Sequence, residues 1–171
     1  MSRDMQVQDS IVIAADAREL YDQIADPSQM GRWSPENRGA DVPAPGQPAT
    51  IGTVFVGSNK RGRIRWVTQC KVTDADPGVR FAFDVRQIGA KRPRLNGRIA
   101  SWSYDFEPAD GGTKVTETWT DNRTSWPDFL ARAFDAAATG GKTFADFQRR
   151  NIAKTLARLK AEFEGTTLPR S

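Results

Sequence analysis

Glu117 stands between Val115 and Trp119 in the stretch TKVTETWT (113–120). Its Thr, Val and Trp content marks a β-strand, along which every second side chain shares a face. Glu117 therefore sits in an otherwise apolar row. A carboxylate there is either wet, held by an arginine or backbone donors, used to grip a polar group of a ligand, or kept as a proton carrier. The first of the internal roles, a structural ion pair, predicts that Glu117→Gln loses stability by stranding the partner charge. The rest of the composition narrows the chemistry. The chain has no histidine and a single cysteine, Cys70. Ser-His-Asp and Cys-His catalysis, histidine metal sites, a cysteine zinc cluster and an internal disulfide are all excluded. Acid–base work falls to Asp, Glu, Tyr or Lys.

The residue opposite Glu117 follows from a turn. Asp110-Gly111 in EPADGGTK (107–114) is the signature of a two-residue hairpin loop of type I′. Ala109 then faces Gly112, Phe106 faces Val115, Tyr104 faces Glu117 and Trp102 faces Trp119, all on one side of the sheet. Directly opposed residues have Cβ atoms about 4.5–5.5 Å apart, within reach of a tyrosine hydroxyl. Tyr104 and Glu117 are thus the candidate acid–base pair if the protein is an enzyme.

The neighbouring arms alternate in the same way. Ile64, Trp66, Thr68, Cys70 and Val72 interleave with Arg65, Gln69 and Lys71. After a turn at ADPG (75–78), Phe81, Phe83 and Val85 interleave with Arg80, Asp84 and Arg86. Cys70, on the apolar side, reads as packing rather than nucleophile.

Further elements must position these strands. A first strand is expected over 6–14, and a helix opens at the cap Asp16 and runs to Ile24. A second short helix follows, with Asp26 as cap and Pro27 at its first position, ending near Trp33. Residues 34–50, rich in Pro and Gly, read as loop. Strands are expected at 53–59, 63–73, 79–87, 98–107 and 113–121, an antiparallel meander. Ser125 begins a capping pattern for a helix to about Ala138, broken by Gly140-Gly141. A long helix then spans 143–164 with Ile152, Leu156, Leu159 and Phe163 on one face, and the tail 165–171 reads as frayed.

Three segments, VIAADARELYDQIADPSQMGRWSPE (12–36), TVFVGSNKRGRIRW (53–66) and WSYDFEPADGGTKVTETW (102–119), resemble the START-like, Bet v 1-like helix-grip proteins. The likeness is specifically to bacterial SRPBCC proteins labelled polyketide cyclase/dehydrase, and it runs over nearly the whole chain. It implies one α+β domain over residues 1–171: a curved antiparallel sheet wrapped around a long C-terminal helix, with two short helices after the first strand. It also implies a cavity between sheet and helix. The expected ligand contacts are Trp33, Phe55, Trp66, Phe81, Phe83, Trp102, Tyr104, Glu117, Trp119, Ile152 and Leu156. For Trp33, at the end of the short helices, two roles stand open: an aromatic rim at the cavity entrance, or a staple tying the helix to the sheet.

Length and composition agree with this picture. A 171-residue chain is long enough to bury roughly 70% of its unfolded surface. No run approaches the roughly 18 apolar residues of a membrane span, and the N-terminus lacks the apolar region of a signal peptide. The expectation is a cytoplasmic monomer or homodimer without metal or cofactor. The net charge is +4, and its basic residues cluster in NKRGRIR (59–65) and AKRPRLNGR (90–98), read as solvated loop and sheet face rather than a nucleic-acid site. TGGKT (139–143) does not make a phosphate loop, because helix rather than strand precedes it. Three functions follow: binding of a hydrophobic or aromatic small molecule such as a lipid or polyketide-like compound, a cyclase or dehydratase working through Glu117 and Tyr104, or a protein-interaction module using the basic outer face.

Overall fold

The computed structural model describes residues 3–165. Seven strands form one antiparallel sheet in the order β1-β7-β6-β5-β4-β3-β2. They are β1 (Gln6–Ile13), β2 (Asn37–Asp41), β3 (Val54–Arg61), β4 (Ile64–Asp76), β5 (Arg80–Gly89), β6 (Leu95–Ala109) and β7 (Gly112–Asp121). The helices are α1 (Ala17–Ile24), α2 (Asp128–Thr139) and α3 (Phe144–Phe163), with a 3₁₀ turn at Pro27–Arg32 after α1. This is the expected helix-grip arrangement, with the sheet curled around α3. The expected frayed tail lies, from residue 166 on, outside the described residues.

Local chemistry sets the boundaries. The Asp16 carboxylate accepts from the amides of Arg18 and Glu19 at the start of α1, and Asp26 accepts from Ser28 at the start of the 3₁₀ turn. Asp26 also takes the amide of Gly46 at 2.9 Å, which pins the long 42–53 connection to the turn. Thr143 caps α3 through the amide of Asp146. The expected Ser125 cap is not used: α2 begins two residues later, after Pro127, with no side-chain cap. Strand β2 was not expected in the 34–50 loop. Its sequence NRGAD has no apolar alternation, and it pairs as a bulged edge strand on β3, an arrangement made by its neighbour rather than by its own propensity.

The β6–β7 register is the expected one, from Ala109 opposite Gly112 to Trp102 opposite Trp119. The turn type differs. Among the described residues no non-glycine residue has a positive φ, whereas Gly111 sits at φ 85° and Gly112 at φ 149°. Negative φ at Asp110 followed by positive φ at Gly111 excludes type I′, which needs a positive φ at both positions. Gly112 has a second duty. A methyl group there would collide with the carbonyl of Ile13, so β1 can pass the hairpin only over a bare Cα.

The core lies at the closed end of the grip. Tyr21 of α1 stacks edge-on against Phe81 at 6.3 Å and Phe106 at 5.9 Å. Ile13, Leu20, Ile24, Val72, Val115, Ile152, Leu156 and Leu159 join them, nearly or fully buried. Helix α3 thus spends its apolar stripe here. The stripe beside it on the same helix turns the polar Gln148, Asn151 and Thr155 inward instead.

The crowding at Gly112 has a direct test. Gly112→Ala is expected to lose about 2–4 kcal/mol, from the steric clash and the unfavourable backbone angle together. Gly111→Ala, at a position open to solvent, is expected to lose no more than about 1–2 kcal/mol. Equal midpoint losses in urea unfolding would show that β1 does not pack over the turn as described.

Candidate functional site

Glu117 lies on the concave face and is 3% exposed. Tyr104, directly opposite, donates its hydroxyl to Glu117 Oε1 at 2.8 Å. The other carboxyl oxygen, Oε2, is buried without a hydrogen-bond partner. The expected ion pair is absent: among the described residues no cation holds Glu117, and its only polar support is Tyr104. Burial therefore dominates, and pushes the Glu117 pKa up to about 8, against a smaller opposing effect of the tyrosine bond. Burial, and then the neighbouring acid, raise the Tyr104 hydroxyl well above its ordinary value. At neutral pH both groups keep their protons. Glu117 is the one close enough to neutrality to exchange its proton, and Tyr104 fixes its orientation.

Two adjoining chambers occupy the open half of the grip. The inner one, about 150 Å³, is walled by Phe55, Cys70, Phe83, Tyr104, Glu117, Asn151 and Thr155 among others. The outer one, about 280 Å³, is walled by Ile64, Ile88, Ile99, Trp119, Phe134 and Phe144 among others. Glu36, Trp66, Thr68, Val85, Trp102 and Gln148 border both. Ligand pockets typically span about 300–1,000 Å³, so the chambers jointly suit one compact molecule rather than a large two-tailed lipid.

A polar latch crosses the boundary between them. Arg61 Nε donates to Glu36 Oε1 at 2.6 Å, and Asn151 Nδ2 donates to Glu36 Oε2 at 3.1 Å. The Arg61 guanidinium also donates to the carbonyl of Ala138 near the end of α2. It lies 3.8 Å from the ring centre of Phe147 and 5.3 Å from that of Trp66, a cation–π arrangement. One side chain thus joins β3, the 33–36 connection, α2 and α3. Beside it Gln148 Oε1 is buried and unpartnered, a second acceptor facing the cavity.

A second cluster holds α2 at the mouth. Arg123, 3% exposed, donates to Asp121 at 2.8 and 2.9 Å and to Asp135 at 2.9 Å. Burial alone would raise Asp121, but its bonds to Arg123 outweigh that and hold its pKa below the usual value. Asp135 also accepts the amide of Phe144 at 3.1 Å, which joins α2 to the start of α3.

Of the residues expected at the site, Phe55, Trp66, Phe83, Trp102, Tyr104, Glu117 and Trp119 line the chambers. Four do not. Phe81 is fully buried between Tyr21 and Phe83, and Ile152 and Leu156 belong to the closed core. Trp33 is the staple: its indole donates to Glu162 of α3 at 2.7 Å, and it borders only a void of about 10 Å³ behind Tyr104. Cys70 is buried, its thiol pushed up to about 12 by burial, which suits packing. Sequence reasoning missed Glu36, Arg61, Gln148 and Asn151. For Arg61 a signal existed. The inward parity of Phe55, Gly57 and Asn59 continues to 61, so this arginine leaves the solvated group to which 59–65 was assigned. For α3, Gln148, Asn151 and Thr155 recur at helical spacing beside the apolar stripe.

A family model described as polyketide cyclase/dehydrase and lipid transport matches residues 4–164, and the chain belongs to that family. Among solved structures, it is similar to the Polyketide_cyc-like protein Cgl2372 of Corynebacterium glutamicum, with 23% identity, 99% of this chain and 100% of that chain covered, and a TM-score of 0.55. Protein Ms6760 of Mycobacterium smegmatis gives 16% identity, 96% and 93% coverage and a TM-score of 0.66. Protein NE0264 of Nitrosomonas europaea gives 10%, 96% and 97%, and 0.66. At these identities the likeness establishes the shared fold alone. Comparison with curated proteins gave no match.

The unpaired acid predicts a pH dependence of stability. Below about pH 4.5 Glu117 is protonated in folded and unfolded chains alike, and its stabilising contribution is complete. As pH rises to about 8 the unfolded chain releases the proton and the folded one does not, so stability falls across that window and levels off above it. At about 1.4 kcal/mol per pKa unit, the loss at pH 7 is about 3 kcal/mol. Glu117→Gln, which removes the titration, should hold or gain stability at pH 8 and lack this fall. Urea midpoints of the two proteins that run parallel from pH 5 to 8 would contradict the unpaired state of Glu117.

Proposed function

We infer that this family member binds a compact, neutral, mostly apolar molecule, its oxygen-bearing head in the inner chamber and its hydrophobic body in the outer one. The observation that carries this reading is Glu117: buried, fixed by Tyr104, with one oxygen unpartnered on the chamber wall. At neutral pH its carboxyl is a donor to a ligand oxygen, and Gln148 Oε1 is an acceptor for a ligand hydroxyl. A buried polar atom without a partner costs about 1–3 kcal/mol, so a ligand that satisfies it regains that penalty. The aromatic walls given by Trp66, Trp102 and Trp119 supply the apolar contact.

A second reading, a cyclase or dehydratase, is favoured by the pKa of about 8. A carboxyl near neutrality can give up and recover a proton, as general acid catalysis requires. Glu117 would be the acid and Tyr104 its positioning residue. Neither reading needs a cofactor or metal. No helix among the described residues is long and apolar enough to cross a membrane, and a cytoplasmic protein fits both readings.

Titration with 2-naphthol and naphthalene, followed by tryptophan fluorescence, separates these possibilities. Binding of 2-naphthol is expected to be about 3–10-fold tighter, the value of one net hydrogen bond, and Glu117→Leu should erase the preference. Equal affinities in the parent protein would refute the head-group role of Glu117, and no quenching by either probe would refute the cavity reading. In the enzyme case, Glu117→Gln would collapse kcat on a β-hydroxy ketone while leaving its binding intact.

A further inference from the structure

We propose that the open end of the cavity is a docking surface for an anionic lipid membrane. Ile64, Leu95, Trp126, Phe129, Leu130 and Phe134 are all exposed, Phe129 by 71% and Leu95 by 69%, and they lie on the elements that bound the mouth, Phe129 and Leu130 in the first turn of α2. Ile64 and Phe134 line the outer chamber itself. Leu95 pairs across β5–β6 with Ile88, another wall residue. Trp126 packs edge-on against Phe134 at 5.6 Å, and Leu130 lies one turn before Phe134 on α2. An apolar cluster of this kind around a cavity marks an interaction site rather than ordinary surface.

The charge around it selects the partner. The two loops at this end, within 59–65 and 90–98, contain no acidic residue. Arg61 turns inward to the latch, but Arg63, Arg65, Lys91, Arg92 and Arg94 are exposed beside Ile64 and Leu95. The turns at the opposite end of the same antiparallel strands carry Asp74, Asp76, Glu107 and Asp110. The sheet is thus basic at its mouth and mixed in charge at its closed end, where Arg80 pairs with Asp74 and Asp105 and Lys114 with Glu107. Asp128 is the exposed acid that α2 brings to the mouth. A nucleic acid would use the cations but leave the aliphatic side chains in water. An anionic bilayer uses both, with headgroups on the arginines and lysines and the interfacial region on Phe129, Leu130 and Leu95.

Helix α2 is built to be the inserting element. Its inner side is secured by buried Ala131 and by the ion pair of Asp135 with Arg123, which leaves its first turns projecting outward. Docked this way, the mouth faces the acyl region, and an apolar ligand enters the outer chamber without crossing bulk water. That last step rests on the ligand-binding reading, whereas docking itself does not.

Co-sedimentation with vesicles tests the proposal. The protein should bind mixed phosphatidylglycerol/phosphatidylcholine vesicles, bind pure phosphatidylcholine far more weakly, and release as salt rises. The double variant F129E/L130E, at exposed positions, should melt like the parent and bind at least tenfold more weakly. R92E/R94E should weaken binding about fivefold per charge, or about 1 kcal/mol each. Absence of binding to the anionic vesicles overturns the proposal. So does binding indifferent to F129E/L130E, which would mean attraction by charge alone. A dimer that F129E/L130E abolishes, in a protein that ignores vesicles, would show instead that a second copy covers this face. Naphthol titration of F129E/L130E should match the parent, so failure of docking and failure of the cavity reading are separable.

Discussion

Helix α3 offers the sheet an apolar stripe on only one side, with a polar stripe running beside it, and the organisation of the molecule follows from that shortfall. Where Ile152, Leu156 and Leu159 meet the sheet, burial closes the grip into a packed core with Tyr21, Phe81 and Phe106. Where the helix presents Gln148, Asn151 and Thr155, the sheet opposite still supplies Phe55, Phe83, Trp66 and Trp102. Aromatic walls facing short polar side chains cannot interdigitate to the density of an interior, and the unfilled space is the cavity. The same boundary dictates where charge is tolerated. Arg61 and Glu36 sit at the division of the chambers, each neutralised by the other, so the wall keeps its shape without leaving a bare ion inside.

Much of this was legible in the sequence, and what was not has identifiable physical causes. Alternation in β6 and β7 together with Asp110-Gly111 specified the register, because a slip of one residue would turn every inner side chain to solvent. The turn type was not specified by the same dipeptide, since Gly112 and the crossing of β1 over it add a constraint that local propensity does not contain. The position of Glu117 and the tyrosine opposite it could be read, but the absence of a counter-ion could not: an arginine could satisfy an internal acid equally well on paper, and only the three-dimensional arrangement shows that no cation among the described residues reaches it. Trp33 illustrates the same limit. Its indole needed an acceptor, and Glu162, which provides it at a separation of 129 residues, carries no local mark.

Charge pairing in the interior is uneven in a way that matters for function. Arg123 is matched by two carboxylates, and Arg61 by one. These pairs join elements that would otherwise part: β7 to α2, α2 to α3, and β3 to the 33–36 connection. Glu117 has no such match, and a buried acid without one holds its proton instead of its charge. The site that a ligand meets is therefore electrically quiet at neutral pH, although a carboxyl group stands at its wall.

That quietness is conditional on what enters. Proton and ligand both act on Glu117, so each must change the affinity of the other by the same factor. A ligand that presents an acceptor oxygen favours the protonated acid and raises its pKa further above 8. A ligand that presents a cation favours the carboxylate and pulls the pKa down, releasing a proton as it binds. A ligand carboxylate gains from the protonated acid as donor but loses if that proton departs, so its affinity must decline as pH rises through the Glu117 transition. One unpaired carboxyl thus makes the inner chamber sensitive to the charge of its occupant, while in the outer chamber the charged wall residues Glu36, Arg61 and Arg123 are already paired.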